Sequence, residues 1–235
     1  MKINPLYSPN FDKKKRSKNL IKILVIHYTG MQSERESIKR LCNKKSKVSC
    51  HFLINENGKI YRLVKDQQIA WHAGKSCWGR YKNLNKNSIG IELVNKGHDF
   101  GYEKFSNSQI TNLINLCQNL KKKYKVKNSN ILGHSDVAPM RKKDPGEKFP
   151  WKRLKDRKIG VWYRKIPVKK IIEKDRMEQM FFKNLYKIGY RYFDANKRSK
   201  KDIFIIKSFQ RRFLPKNVTG IIDQKTYKIS HFLSN

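Results

Sequence analysis

The stretch LIKILVIHYTG, residues 20–30, decides the fold more than any other part of the chain. Its first seven residues, Leu20–Ile26, are almost continuously apolar and largely β-branched, with Lys22 as the interruption. Such a run is typical of a strand that is buried on both faces. We therefore predict a central strand that ends at His27 and is followed by a polar tip at residues 28–30.

Shorter strand signals lie further along the chain. Residues 51–54 and 59–64 flank the turn Asn55-Glu56-Asn57-Gly58, a pattern that predicts a β-hairpin. Residues 88–94, SIGIELV, predict another strand, and Ile131 with Leu132 predicts a short one that ends at His134. These strands would form one sheet with the strand before His27.

Helical spacing separates these strands. Ser37–Cys42 has apolar residues at helical intervals, and a longer helix is expected to open with a capping box of Ser106 and Gln109. The apolar face of the longer helix comprises Ile110, Leu113, Ile114, Cys117 and Leu120. Strands mixed with helices in this order predict an α/β domain, with a mixed central β-sheet flanked by helices.

A second unit is expected at the C-terminal end. The periodic pattern of apolar residues is lost between Asp156 and Lys174, and Pro167 in this stretch is a typical break in regular structure. We therefore place a domain boundary there. Beyond it, apolar faces predict three helices. These faces are Met177, Met180, Phe181, Leu185 and Ile188, then Ile203, Ile206, Phe209 and Phe213, then a short one after Asp223. The predicted division is residues 1–165 and a small three-helix domain at 176–235.

Composition limits the class of protein. Lys and Arg outnumber Asp and Glu by 55 to 18, a formal charge of +37, so the surface attracts polyanions. The basic residues are spread along the chain and form no nucleic-acid-binding motif, so no specific nucleic acid partner is expected. Usage rich in Lys, Asn and Ile is also typical of a genome biased towards A and T.

Export and disulfide signals are weak. No run approaches the ~20 apolar residues that span a bilayer, and the start, MKINPLYSPN, has no apolar signal-peptide core. Four cysteines, none in a C-x-x-C pair, indicate neither a zinc ribbon nor a dense disulfide framework, although one disulfide is compatible with them.

Two strand-end histidines and one aspartate form a candidate metal site. His27 and His134 follow apolar strands, and Asp144 lies ten residues beyond the second in the turn sequence KKDPG. Three nitrogen and oxygen ligands suit a zinc site that keeps one position for water. Taken singly, a histidine at a strand end is more often structural and D-P-G is more often only a turn, and the H-E-x-x-H signature of many zinc proteases is missing.

Five segments occur in an order that resembles a known family. They are IHYTG (26–30), VSCHFLINENGKIYRLV (48–64), AWHAG (70–74), NSIGIELVN (87–95) and GHSDVAPMRKKDPG (133–146). Together they resemble the type 2 N-acetylmuramoyl-L-alanine amidases, in the branch of the AmpD-like and AmiD-like enzymes. The resemblance runs from about residue 20 to 151 and implies zinc-dependent hydrolysis of the bond between N-acetylmuramic acid and L-alanine in peptidoglycan or muropeptides.

The resemblance also assigns residues. It implies that His27, His134 and Asp144 hold one Zn²⁺ per chain. Glu92 matches the general base of the family, and Lys142 matches a lysine that stabilises the oxyanion. Candidate substrate-binding residues are Tyr28, His51, Trp71 and His72, of which the two histidines alternatively hold the cleft together. His98 matches no motif and is expected at the surface.

The tail has a resemblance of its own. SFQRRFLPKNVTGIIDQKTY, residues 208–227, is similar to the peptidoglycan-binding type 1 module. A generic three-helix cap is the alternative. The combination favours work on wall polymer in the periplasm or cell envelope, with the cytoplasm as the alternative compartment.

Three other functions are compatible with parts of the sequence. A muropeptide receptor on the same fold can lose its metal ligands, whereas this chain has all three together with Glu92 and Lys142. A basic nucleic-acid or anionic-surface binder would bind in a salt-sensitive way without zinc. A phage-type lysin shares the chemistry, and the residues do not separate it from a host enzyme.

Overall fold

The centre of the molecule is a six-stranded mixed sheet within the residues that the computed structural model describes, 2–164 and 173–235. Its strands in spatial order are β1 (Ile3–Pro5), β5 (Ile60–Arg62), β4 (Phe52–Ile54), β9 (Ser88–Leu93), β3 (Ile23–Tyr28) and β10 (Ile131–Gly133). Strands β4 and β5 form the antiparallel hairpin, and all other neighbours in this sheet are parallel. The predicted α/β class with a mixed sheet is confirmed.

Helices and two short ribbons surround the sheet. The ribbons pair β2 (Phe11–Asp12) with β6 (Ile69–Ala70) and β7 (Cys77–Trp78) with β8 (Tyr81–Lys82). The helices are α1 (Glu34–Cys42), α2 (Asn107–Tyr124), α3 (His134–Val137), α4 (Trp151–Asp156), α5 (Lys174–Ile188), α6 (Asp202–Phe213) and α7 (Gln224–Ser234).

Strand β3 divides its side chains between two cores. Leu24 and Ile26 pack in the core that contains α2, whereas Ile23 and Val25 pack with residues of α5 to α7. Helices therefore cover both faces of the sheet. Because side chains alternate along a strand, His27 lies on the face that Ile23 and Val25 share.

The predicted central strand begins three residues later than expected. Residues Lys18–Leu20 form a 3₁₀ turn capped by Ser17, and Leu20 is largely exposed. The strand starts at Ile23 and includes His27 and Tyr28. The apolar pattern did not reveal this turn. The turn is formed by local backbone hydrogen bonds, which do not depend on apolar side chains.

The predicted apolar face of helix α2 is confirmed. Of the predicted capping box, the contact made by the Ser106 side chain is present and the one made by the Gln109 side chain is not. Ser106 caps the helix by accepting from the Gln109 amide. The side-chain amide of Gln109 instead donates to the carbonyls of Ile54 and Val94, each at 3.0 Å. Gln109 thus ties the helix to strands β4 and β9, because those carbonyls need a buried donor.

All three C-terminal helices that the sequence predicts are present, and the predicted face of α6 needs one correction. Ile203 is 39% exposed, and Ile205 takes a buried place beside Ile206 and Phe209. The predicted boundary residue Pro167 lies outside the described residues. The division at residues 165 and 176 stays a prediction.

Two features that composition left open are visible in the structure. All four cysteines, Cys42, Cys50, Cys77 and Cys117, carry free thiols. Across residues 2–164 and 173–235, no helix combines the length and the apolar character needed to cross a bilayer.

Candidate active site

His27 and Glu92 are brought together by strand register. They are direct partners in the parallel pair β3 and β9. Ile89 and Ile91 point into the core that contains α2, so the alternation of β9 places Glu92 on the opposite face, with His27. Both side chains line the same cleft, which has a volume of about 520 Å³.

His134 and Asp144 reach this cleft from the neighbouring strand. Strand β10 runs parallel to β3 with Gly133 beside Ile26, so His134, the next residue, emerges next to His27. The loop after α3 then returns, because the Ser135 amide donates to the Asp144 carbonyl at 2.8 Å. Asp144 precedes a cis proline, as part of the predicted turn.

The three side chains converge on one point. The Nδ1 atoms of His27 and His134 are 3.0 Å apart, and they lie 3.0 and 3.1 Å from Oδ2 of Asp144. All three residues are buried, and among the described residues they form the cluster that could hold a metal ion. Ligand atoms around a tetrahedral zinc are separated by roughly 3.3 Å, so the spacing is close to that of a metal site.

The hydrogen-bond partner of His134 fixes its tautomer. Nε2 lies 3.1 Å from the carbonyl oxygen of Ala73. A carbonyl can only accept, so Nε2 carries the proton and Nδ1 presents a lone pair towards Asp144. Arg141 donates to the same carbonyl at 3.0 Å, which holds the Ala73 peptide in place.

A chain of hydrogen bonds fixes the tautomer of His27. Ser88 donates its hydroxyl to the Leu84 carbonyl at 2.7 Å, so its oxygen accepts from Nε2 of His72 at 3.1 Å. Nδ1 of His72 is then an acceptor, and the N–H at His27 Nε2 donates a hydrogen bond to it at 3.0 Å. His27 Nδ1 is left with a lone pair. Gly90 makes this chain sterically possible, because a Cβ there would collide with the His72 ring.

Two imidazole lone pairs and one carboxylate therefore face each other inside the protein. Burial and the nearby His134 lower the pKa of His27 to about 4, so its ring is neutral at pH 7. Burial opposes ionisation of Asp144, whereas positive charge at this point, from a protonated ring or from a bound cation, holds the pKa of Asp144 well below its usual value. Converging acceptors of this kind fit a cation.

Glu92 is the adjacent acid or base. Its carboxyl is 8% exposed, and Oε2 has no hydrogen-bond partner among the described residues. Burial and the Asp144 carboxylate raise its pKa well above the ordinary value, while Lys142 opposes the rise. A buried carboxyl with a raised pKa in a cleft is typical of proton transfer. Lys142 is half-buried and lines the same cleft.

Comparison with known proteins identifies the family. The family described as N-acetylmuramoyl-L-alanine amidase (Amidase_2) matches residues 16–147, more than half of the 235 residues. This chain belongs to that family. Among individual relatives, the N-acetylmuramoyl-L-alanine amidase AmiD of Escherichia coli is 42% identical over 154 residues, which cover 60% of this chain and 55% of that protein. The aligned part thus spans little more than half of that relative.

Two solved structures are similar to this one over nearly the whole chain. The E. coli amidase AmiD, in complex with anhydro-N-acetylmuramic acid-L-Ala-D-γ-Glu-L-Lys, superimposes with a TM-score of 0.77 at 31% identity and covers 94% of this chain and 91% of its own. AmpDh3 of Pseudomonas aeruginosa, in complex with anhydromuramic pentapeptide, superimposes with a TM-score of 0.78 at 30% identity. The match covers 97% of this chain and 96% of AmpDh3. The similarity therefore includes the C-terminal helices.

The candidate substrate residues of this chain separate into two groups. Tyr28 and His72 line the cleft beside the histidine and aspartate cluster. His51 is fully buried and accepts from the Gly90 amide at 3.0 Å, and Trp71 donates to Asp12 at 2.7 Å. Neither His51 nor Trp71 is among the residues that line the cleft, so their positions favour a supporting role.

His98 is the residue that sequence reasoning missed. It lies on the cleft rim, where its Nδ1 is 2.8 Å from the Tyr28 hydroxyl and its Nε2 is 3.1 Å from Glu147. Tyr102 stacks on its ring with a centroid distance of 4.6 Å. His98 belongs to none of the motifs, and its partners are 49 and 70 residues away along the chain, so nothing in the sequence indicated this position.

Proposed function

We propose that this chain hydrolyses the amide bond between the lactyl group of N-acetylmuramic acid and L-alanine in peptidoglycan or muropeptides. The observation that carries the proposal is that one cleft contains both a candidate metal site and a buried carboxyl group. Buried Glu92, whose Oε2 has no hydrogen-bond partner among the described residues, lies beside three converging atoms that could ligate a metal, in a chain of the amidase family. Hydrolysis of an amide needs this combination of electrophilic assistance and proton transfer.

We assign His27, His134 and Asp144 as the ligands of one zinc ion. Two imidazoles and a carboxylate form a common catalytic zinc set, which keeps a fourth position for water or substrate. When bound there, zinc polarises the lactyl carbonyl, lowers the pKa of water to about 7, and makes ionised Glu92 more favourable. His72 and the Ala73 carbonyl orient the two histidines, since each holds the ring nitrogen that faces away from the site.

Glu92 carries the proton in this proposal. As the water oxygen forms its bond to the lactyl carbonyl carbon, the Glu92 carboxylate takes the water proton. The carboxylic acid then gives that proton to the alanine nitrogen as the carbon–nitrogen bond breaks. The products are a muramic acid lactyl carboxylate and a stem peptide with an N-terminal ammonium group, because the second water proton passes from the new carboxylic acid to the released amine. Burial suits Glu92 to the acid role, because it stabilises the protonated form.

Lys142 faces the negative charge that develops on the carbonyl oxygen. Its half-buried side chain lines the same cleft as Glu92, and a positive charge that is already in place there stabilises the developing oxyanion. Tyr28 contacts the substrate from the rim, in a position held by His98 and Glu147. The sugar or the peptide can pack on the Tyr28 ring.

The C-terminal helices are assigned to wall binding. Residues 208–227 resemble a peptidoglycan-binding module, and the solved amidases with similar folds match the chain through these helices. With a formal charge of +37, the protein would concentrate on the carboxylates of stem peptides. This assignment favours the periplasm or cell envelope as the working compartment. Fractionation of cells that produce the protein, followed by immunodetection, tests it.

The products identify the bond that is cut. A purified disaccharide tetrapeptide is incubated with the protein in water enriched in ¹⁸O, and the products are analysed by mass spectrometry. The expected result is a free stem peptide with an N-terminal L-alanine and a muramic acid that carries one ¹⁸O. Cleavage within the peptide or the sugar, or an intact substrate, would refute the proposal.

A further inference from the structure

Asp136 closes the turn that carries His134. It is the third residue of α3, and its Oδ2 accepts from the Gly133 amide at 2.8 Å, immediately before His134. This bond fixes the angle at which strand β10 becomes helix α3. The direction of the His134 side chain therefore depends on where the Asp136 carboxylate is held.

The C-terminal helices hold this carboxylate. Arg212 of α6 places Nη1 2.5 Å from Oδ2, and Tyr190, just after α5, donates its hydroxyl to Oδ1 at 2.7 Å. Asp136 and Arg212 are 1% and 2% exposed, and Tyr190 is fully buried. A charge pair so completely removed from water is strongly directional, because neither group has an alternative partner in solvent.

Two more contacts from α6 bracket His134. Ser208 donates its hydroxyl to the Ser135 carbonyl at 2.8 Å, and Arg212 Nη2 donates to the Ile131 carbonyl at 3.1 Å. The Arg212 guanidinium also lies over the Trp151 ring, 4.1 Å from its centroid. Helix α6 thus binds the backbone on both sides of His134, through residues that are 73 and 81 positions away from their partners in sequence.

We infer that the C-terminal helices contribute to metal binding by fixing the backbone that carries His134. Arg212, Tyr190 and Ser208 are the positioning residues. The inference rests on the proposed zinc site. It gives the tail a role in metal affinity beside its assignment to the wall. Outer partners of metal ligands change affinity because small displacements of a ligand are costly to the metal.

Tyr190→Phe in the full chain tests the inference with little disturbance. The variant keeps the ring that packs on Trp78 and loses one hydrogen bond to Asp136. Tyr227→Phe is the matched control, because Tyr227 is buried in the same core and its hydroxyl contacts Met180 instead. Zinc affinity is measured by competition with a chromophoric chelator, and thermal unfolding of the metal-free proteins is measured in parallel.

Tyr190→Phe and Arg212→Met are expected to weaken zinc binding on the order of tenfold or more, with Tyr227→Phe close to wild type. A double variant, Asp136→Asn with Arg212→Met, keeps the inference testable if Arg212→Met alone does not fold. Wild-type zinc affinity in Tyr190→Phe and in the double variant would overturn the inference, whatever their unfolding temperatures. A wild-type protein that binds no zinc would instead contradict the proposed function.

Discussion

At the residue scale, a substitution of Glu92 tests proton transfer without changing the residues proposed to bind the metal. Glu92→Gln keeps the shape of the side chain and the three proposed metal ligands but cannot take a proton. We expect turnover of a defined muropeptide to fall about 10²- to 10⁴-fold while the zinc content is unchanged. Near-normal turnover in a zinc-loaded variant would remove Glu92 from the base role.

Substitutions of the neighbouring lysines Lys142 and Lys143 are expected to have different effects on kcat. Both line the cleft, but Lys142 is half-buried and close enough to shift the pKa of Glu92 and His27, whereas Lys143 is exposed. Lys142→Met should lower kcat by about 10²- to 10³-fold, the usual cost of one oxyanion donor. Lys143→Met serves as the control and should stay near wild type. Equal effects of the two changes on kcat would indicate a general charge effect in place of a positioned donor.

The residues at the site were predictable to different degrees. His27, His134 and Asp144 stand in ordered motifs, so the sequence singled them out before any geometry was known. His98 and Arg212 could not be found in this way. Each acts through partners far away in the chain, and only folding brings those partners within hydrogen-bond distance.

Helix α2 and the β4–β5 hairpin meet at Ser106, which gives a prediction at the element scale. The Ser106 hydroxyl accepts from the Gln109 amide and donates to the Glu56 carbonyl in the hairpin turn. Ser106→Ala should lower the free energy of unfolding by about 1 kcal/mol, a typical cost of losing a helix cap.

Ser108→Ala provides the matched control for this cap. Ser108 is exposed in the first turn of the same helix, where alanine is tolerated. Urea unfolding monitored by circular dichroism compares the two variants. If Ser106→Ala were as stable as Ser108→Ala, the cap and its bond to the hairpin would not contribute to stability.

Elements with long apolar patterns were predictable, as were the short hairpin strands β4 and β5 that flank an Asn-Gly turn, whereas other short elements were not. Strands β3 and β9 and helix α2 each extend over six residues or more, enough for their periodicity to be read. Strand β1 and the two ribbons have two or three residues each, and their pairing depends on the sheet edge and loops around them. Such contacts leave no periodic signal in a sequence.

At the scale of the whole molecule, buried histidines make stability depend on pH. Burial, with the positive charge of Arg16, lowers the pKa of His51 to about 3, whereas an unfolded histidine titrates near 6.5. Between these values the unfolded chain binds a proton that the folded protein does not. Lowering the pH from about 6.5 towards 3 therefore destabilises the fold, by about 1.4 kcal/mol per pH unit for this residue.

His51→Gln isolates this contribution. Other titrating groups are common to both proteins, so they cancel in the comparison. With a chelator present, the free energy of unfolding of the variant should fall less steeply between pH 6 and 4, by about 1.4 kcal/mol per unit. Parallel curves for the two proteins over this range would show that His51 is not held neutral by the fold.

The central claim is that the converging histidines and aspartate hold the metal that makes this fold an amidase. The most direct measurement is mass spectrometry of a defined muropeptide incubated with the full-length protein, with a chelator, and after zinc is restored. The account predicts that release of the free stem peptide stops when the metal is removed and returns with one zinc per chain. Undiminished release from protein verified to contain no metal would contradict it.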